Sequence, residues 1–311
     1  MAFVGRRLLQ LIPVAFGVTF IVFFMVHLIP GDPAVSILGI HATPRAVAIL
    51  HREWGLNRSL PAQYWLFLDR LLHGNLGYSL YYGQSTTSLV LSHLPPTLWL
   101  IVYAGVLSVL ISVPLAMIGA SRPDALRDHV VRAVPLVGLG MPSFWLAFLL
   151  ILIFAIKVQA FPVSGYGSGF FGHLRSMFLP SLTAALALSP VVIRSLRASM
   201  LTVLGAEYIT TARSKGVSGH RLYLRHVLRN AVIPAVTVLG INIGFLIGTT
   251  VIIEEVFAIP GVGQLMINSI FQRDFPVVQG VTLVFAIMVV LLNLLADVAY
   301  AALDPRVRFD R

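Results

Sequence analysis

The chain has 311 residues, of which 58% are hydrophobic and 11% charged, with a mean hydropathy of +0.89; it is too apolar for a soluble protein and reads as an integral membrane protein. Its net charge of +10 is spread between apolar runs instead of gathering on one polar domain, which argues against a nucleic-acid partner. The absence of cysteine excludes disulfides, thiolate nucleophiles and Cys-ligated zinc, and the nearest histidine pair, His220 and His226, misses the i, i+4 spacing of helical metal ligands.

Arg6 and Arg7 precede an apolar run from Leu8 to Ile29, about 33 Å of helix and enough to cross a bilayer core. The run is too long for the apolar part of a signal peptide and no small-residue cleavage site follows it, so residues 1–29 are expected to be a short tail and a retained first membrane helix. Pro30-Gly31-Asp32-Pro33 ends that helix and opens a segment of mixed polarity, 30–96, with no run long enough to span. It is expected to be extracytoplasmic, with short helices at 43–54 and 61–73 and interfacial aromatics at Tyr64-Trp65 and Tyr81-Tyr82.

Five more spans follow: Thr97–Ala120, Ala133–Ile156, Phe178–Ile193, Val232–Ile253 and Val277–Leu303. Pro142 is expected to kink the third, and Pro190 to lie near the end of a short fourth. Residues 97–311 then form a five-helix core in an all-α polytopic protein of six transmembrane helices. With both termini on one side, that side holds 15 of the 22 Lys and Arg, so by the positive-inside rule the termini and the long loop 194–230 are cytoplasmic.

Within that loop, Gly205–Pro234 is the longest polar and basic interruption of the apolar second half. Ala206–Lys215 can form about three helical turns, with Glu207 in the first and Arg213 and Lys215 in the last, the charge order that suits the helix dipole. Gly216 is expected to stop this helix in a left-handed conformation and Ser218 to cap a second one. In the second helix Leu224, Val227, Leu228 and Ala231 share an apolar face and Arg221, Arg225 and Arg229 a cationic one, a pattern that lies well on an anionic lipid surface. An ordinary cytoplasmic loop with orienting arginines fits the same composition.

Catalytic motifs are missing. Neither lysine, Lys157 after Ile156 or Lys215 after Ser214, follows the glycine that a phosphate-binding loop requires, and there is no H-E-x-x-H. Gly165-Tyr166-Gly167-Ser168-Gly169 is not a nucleophile elbow. Among ionisable groups in the spans, Glu254 and Glu255 are expected to face external water and Asp297 to reach interfacial water or a polar neighbour. No acidic or histidine series lines several spans as a proton relay would require.

A set of motifs in order, Pro30-Gly-Asp-Pro-Ala34, Leu60-Pro-Ala-Gln-Tyr64, Gly77-Tyr-Ser-Leu80, Leu94-Pro-Pro-Thr-Leu98 and Met141-Pro-Ser-Phe-Trp145, continues through Arg197-Ala-Ser-Met200, Thr211-Ala-Arg-Ser-Lys-Gly216 and Arg225-His-Val-Leu-Arg-Asn230 to Phe257-Ala-Ile-Pro-Gly-Val-Gly263 and Leu303-Asp-Pro-Arg306. Through these the chain resembles the B-type inner-membrane permease subunits of dipeptide and oligopeptide ABC importers, nearly end to end. The resemblance implies a type I importer permease fold and a non-catalytic, channel-forming subunit of the cell membrane. It implies four kinds of partner: a homologous second permease subunit, two ATPases that carry ATP and Mg2+, an extracytoplasmic peptide-binding protein and the lipid bilayer. This chain itself would bind no cofactor and no metal.

It also implies that Ala206, Glu207, Thr210, Thr211, Ala212, Arg213, Lys215 and Gly216 form the coupling helix that docks on an ATPase. Thr210-Thr211-Ala212 stands where the wider superfamily has Glu-Ala-Ala, and His226-Val-Leu-Arg229 where it ends in Ile-x-Leu-Pro. Small residues at 206, 210, 211 and 212 permit a close approach, and Arg213 and Lys215 can pair with acidic groups at the rim of the partner. Arg221, Arg225 and Arg229 would brace the loop on the membrane surface, and Phe257, Pro260, Gly261 and Gly263 are candidates for an external gate. The same architecture could import nickel, a metal chelate or haem; a stand-alone membrane enzyme or ATP-independent channel is the reading from another class.

Overall fold

The computed structural model describes residues 2–27 and 32–303. Most of them are helical: α1 (Ala2–His27), α2 (Pro33–Leu38), α3 (Pro44–Trp54), α4 (Leu60–Leu72), a two-stranded antiparallel hairpin β1 (Tyr78–Ser79) and β2 (Gln84–Ser85), α5 (Thr86–Ser121), α6 (Leu126–Gly140), α7 (Ser143–Leu150), α8 (Gly169–Ser176), α9 (Phe178–Leu204), α10 (Glu207–Ser214), α11 (Gly219–Leu222), α12 (Arg229–Val256), α13 (Val262–Phe271) and α14 (Phe275–Leu303). Two compact units divide the chain, one of residues up to Thr97 with Pro260–Val290, the other of Leu98–Ile259 with the residues from Leu291 onward.

In the first unit the short helices begin and end as their residues dictate. The Thr43 hydroxyl accepts from the Ala46 amide at 3.2 Å, Pro44 opens α3, and Gly55 closes it at φ +67°. Asp32 caps α2 through the Ala34 amide at 2.9 Å, and both of its oxygens meet His51 Nε2 at 2.8 and 2.9 Å, joining α2 to α3. A small core of Leu89, Val90, Val262, Leu265, Val277 and Val281 gathers the start of α5, α13 and the start of α14. The buried Asp274 carboxylate accepts from the Ser79 hydroxyl and so ties the hairpin to the turn before α14.

The Asp32–His51 clasp carries a pH dependence. Hydrogen bonding to Asp32 raises the His51 pKa, and the same bond lowers that of Asp32. A raised histidine stabilises below its unfolded pKa and loses that contribution as pH rises through the folded value; a depressed carboxylate loses its contribution as pH falls through its own. The clasp is thus strongest between the two. Histidine NMR titration should place His51 above an ordinary histidine in the wild type and return it toward that range in Asp32→Asn.

The second unit is built on α9 and α12, which run along each other. The end of α9 and the start of α12 share a core with the end of α5 and the segment between them: Ala116, Ala120, Leu196, Met200, Ile209, Leu222, Val227, Ala231 and Ala235. Gly240 of α12 lies so close to α14 that a Cβ there would overlap Ala296, so this crossing needs the missing side chain.

Three helices among the described residues are long and apolar enough to cross a membrane, Thr86–Ser121, Phe178–Leu204 and Phe275–Ala299; a fourth results if Gly219–Gly240 and Gly244–Val256, whose axes differ by 56°, form one span. Several other expectations are corrected. The helix expected to start at Thr97 already begins at Thr86 and passes through Pro95 and Pro96. The fourth span does not stop at Ile193: α9 continues to Leu204 with Pro190 inside it, because Arg197 is neutralised by a carboxylate and Arg194 is exposed, so neither charge ends the helix. At Pro142 the expected kink is a full break, since a residue before proline is pushed out of the helical region and Met141 is extended at ψ 127°. Glu254 is completely buried and only Glu255 is exposed, as adjacent helical residues point about 100° apart. Asp297 is half-buried. The expectations for Pro30, Gly31 and Leu303-Asp-Pro-Arg306 fall wholly or partly outside the described residues.

Candidate functional site

α9 ends at Leu204, and after Gly205 and Ala206 the chain forms α10, whose single fully buried residue is Ile209. Ile209 inserts into the core that α9 shares with α11 and α12, and full burial of such a side chain is worth about 2 to 3 kcal/mol. A second tether is the Asn230 amide, which donates to the Tyr208 hydroxyl at 2.8 Å and links α10 to the start of α12. The helix is therefore fixed on one side only. On its other side Glu207, Thr210, Thr211, Arg213 and Ser214 are exposed, and Lys215 and Gly216 follow them into solvent; Ala206 and Ala212 are half-buried, Ala212 against the shared core.

The stop at Gly216 takes the expected form. Gly216 has φ +83°, its amide bonds the Arg213 carbonyl at 2.9 Å, and the Val217 amide reaches back to the Ala212 carbonyl at 3.1 Å. These are the two bonds of a Schellman cap, and Ala212 and Val217 both pack against the shared core. Ser218 is extended, but its side chain makes no capping hydrogen bond, contrary to expectation; nothing in the structure explains this.

The second helix differs in register from the expected one. Residues 223–228 wind as a π-helix, which brings residues five apart onto one side, so Leu222, Val227 and Ala231 are buried while Leu224 is 43% exposed. Arg221, Arg225 and Arg229 are all exposed.

A buried ion pair lies nearby, and the reading of the loop missed it. Arg197 of α9 grips Asp128 of α6 with two bonds, Nε to Oδ1 at 2.5 Å and Nη2 to Oδ2 at 2.6 Å, with the Asp128 side chain fully buried and that of Arg197 15% exposed. Arg132 adds a longer contact at 3.4 Å, and the Asp124 amide donates at 3.0 Å. The Arg197 guanidinium holds the Asp128 carboxyl below the usual carboxylate range. Gly119 of α5 abuts this pair, since a Cβ there would lie 3.3 Å from both Arg197 Cδ and Asp128 Oδ1. In the sequence Arg197 falls past the expected end of the fourth span at Ile193, so nothing there set it apart from the other arginines of the loop.

The gate candidates divide between the two units. In the second unit Phe257 is 1% exposed and its carbonyl accepts from the Gly165 amide at 2.9 Å; Ala258, next to it, holds a left-handed φ of +47°. In the first unit Pro260 is exposed, Gly261 stands at the N-cap of α13, Gly263 is buried, and the Val262 amide donates to Thr97 Oγ1 at 2.9 Å.

Residues 112–309 match the family described as binding-protein-dependent transport system inner membrane component, and residues 1–100 match its membrane component N-terminal family. The glutathione transport system permease protein GsiC of Escherichia coli O6:H1 (strain CFT073) is 37% identical over 307 residues, covering 99% of each chain; the protein of that name from Salmonella typhi gives the same values. Among solved structures, an inward-facing MetNI methionine ABC transporter aligns with a TM-score of 0.58 at 17% identity, over 70% of this chain and 96% of its own. An amino acid ABC transporter with histidines aligns at 0.53 and 18%, over 70% and 94%. At such identities the likeness is one of fold.

Proposed function

The chain belongs to the family of binding-protein-dependent transport system inner membrane components, and from that premise we propose that it is the channel-forming half of an importer for small peptides. By membership it is an ABC importer inner-membrane permease, a non-catalytic component that works with ATP-binding subunits and a binding protein. In the proposed assembly it pairs with a homologous permease subunit, two ATPases and an extracytoplasmic peptide-binding protein. In the proposed six-span topology both termini, the turn 121–132 and α10 lie in the cytoplasm and residues 30–96 outside, where they receive the binding protein; the positive-inside distribution of Lys and Arg supports this orientation.

The observation that carries the mechanism is the one-sided anchoring of α10. A partner seated on Glu207, Thr210, Thr211, Arg213 and Lys215 would move Ile209, and Ile209 shares its core with α9 and α12. Closing of the ATPases on ATP is thereby passed to two membrane helices at once, opening the path outward, and hydrolysis returns it inward. Arg221, Arg225 and Arg229 brace the loop against lipid headgroups, and the 257–263 segment closes the external end of the path.

The peptide assignment draws support from the relatives named for glutathione, itself a tripeptide. It is tested by reconstituting the complete complex in proteoliposomes and measuring stimulated ATP hydrolysis and uptake with glutathione, dipeptides, longer peptides, nickel and haem. Peptides or glutathione should stimulate. Stimulation by nickel or haem alone would overturn the assignment.

A further inference from the structure

Beside the Asp128–Arg197 pair, α6 and α9 enclose a recess of about 210 Å³. Its floor is apolar, formed by Pro135, Pro190 and Ile193, and three guanidinium groups, Arg132, Arg194 and Arg197, line it without any carboxylate in the lining. The three arginines are not equivalent. Arg197 is spent on Asp128 and nearly covered, and Arg132 is shared between His129, Asp124 and Asp128. Arg194 is exposed and, among the described residues, has neither a hydrogen bond nor an ion pair. It also stands about 24 Å along α9 from Phe178, near the depth at which a hydrocarbon core of about 30 Å gives way to headgroups.

Arginines at that depth commonly extend to water along the helix surface. Here the surface is concave, and the excess positive charge faces an apolar floor. A soluble anion would need a cradle polar on all sides, whereas an amphiphile with a phosphate at one end and hydrocarbon at the other satisfies both parts of this lining. We propose that the α6–α9 recess binds the phosphate of an anionic phospholipid, with Arg194 as its principal ligand, Arg132 as a second, and the glycerol and first methylenes against Pro135, Pro190 and Ile193. Arg197 positions the recess through Asp128 and stays bound to it. The lipid then sits against α9, the helix that leads into α10, and its presence stiffens the junction between the membrane and the coupling helix. This goes beyond the transport reading, and its readout is bound lipid instead of transport.

The assembled complex is purified in detergent, titrated with phosphatidylglycerol, and bound lipids are counted by native mass spectrometry. Wild type should hold phosphatidylglycerol in preference to phosphatidylcholine. Arg194→Gln should weaken the strongest-binding copy on the order of tenfold, the change expected for one charge-assisted phosphate contact. Arg194→Lys should retain most of the affinity, and Ala198→Phe, which fills the recess without changing charge, should lose it. Since Arg194 and Ala198 are exposed, the unfolding temperature of the chain should be unaffected in each. Equal binding by wild type and Arg194→Gln, or unchanged binding by Ala198→Phe, would overturn the proposal. So would displacement of the lipid by inorganic phosphate at equal concentration, which would mark a site for a soluble anion.

Discussion

Placing two glutamates on the outward side of α10, as Thr210→Glu with Thr211→Glu, is expected to leave insertion and thermal unfolding of the chain as in the wild type while abolishing co-purification with the ATPase subunits and ATP-driven uptake. Both positions are exposed and make no contact with the shared core, and surface substitutions away from such contacts usually change stability by within about 0.5 kcal/mol. At a docked interface the same side chains meet a partner whose rim is expected to be acidic, given Arg213 and Lys215 beside them. Like charges brought together cost several kcal/mol, which is roughly a thousandfold or more in affinity. Ile209→Ala is the contrasting variant. It removes the buried anchor, should cost about 2 to 5 kcal/mol of stability, and should weaken coupling only by loosening α10. Unfolding temperature and ATPase co-purification, measured on both variants, separate loss of the contact from loss of the fold.

Asp128→Ala is expected to destabilise the chain by about 3 to 5 kcal/mol, because it leaves the Arg197 guanidinium, 15% exposed, without its carboxylate. The pair joins residues 69 apart in sequence and fixes the start of α6 to α9. Its pH dependence has a definite sign. The Asp128 pKa is lowered in the folded chain, chiefly by the hydrogen bonds from Arg197, so its contribution is complete above the unfolded-state carboxylate value and is lost as pH falls through the folded one. Unfolding temperatures measured from neutral pH into the acid range should therefore converge for wild type and Asp128→Asn. Parallel curves would show that the carboxylate contributes nothing through its charge.

Local signals were read well from the sequence and distant ones were not. The short helix expected at 43–54 is found as α3, whose bounds are set by the Thr43 cap and the left-handed Gly55, devices that depend on neighbours only. The stop of α10 at Gly216 was legible for the same reason. The break at Pro142 was underestimated because its effect falls on Met141, the residue before it. Arg194 and Arg197 were taken as the edge of a loop, since nothing near them in sequence announces that Asp128 neutralises one of them. The buried side of residues 219–231 was assigned with the period of an α-helix, and the π-turn at 223–228 moved Leu222 in and Leu224 out. Ile209 had no signal of its own: one isoleucine between polar residues becomes an anchor only when α9 and α12 supply the other walls.

The most direct measurement uses the absence of cysteine from the natural chain. A single Thr211→Cys substitution in the assembled complex, treated with a short thiol-to-amine cross-linker, should join this chain to an ATPase subunit, with a yield that changes when ATP is added. Cross-linking of Thr211→Cys only to lipid or to another membrane subunit, in a complex still active in uptake, would contradict the assignment of α10 as the coupling helix.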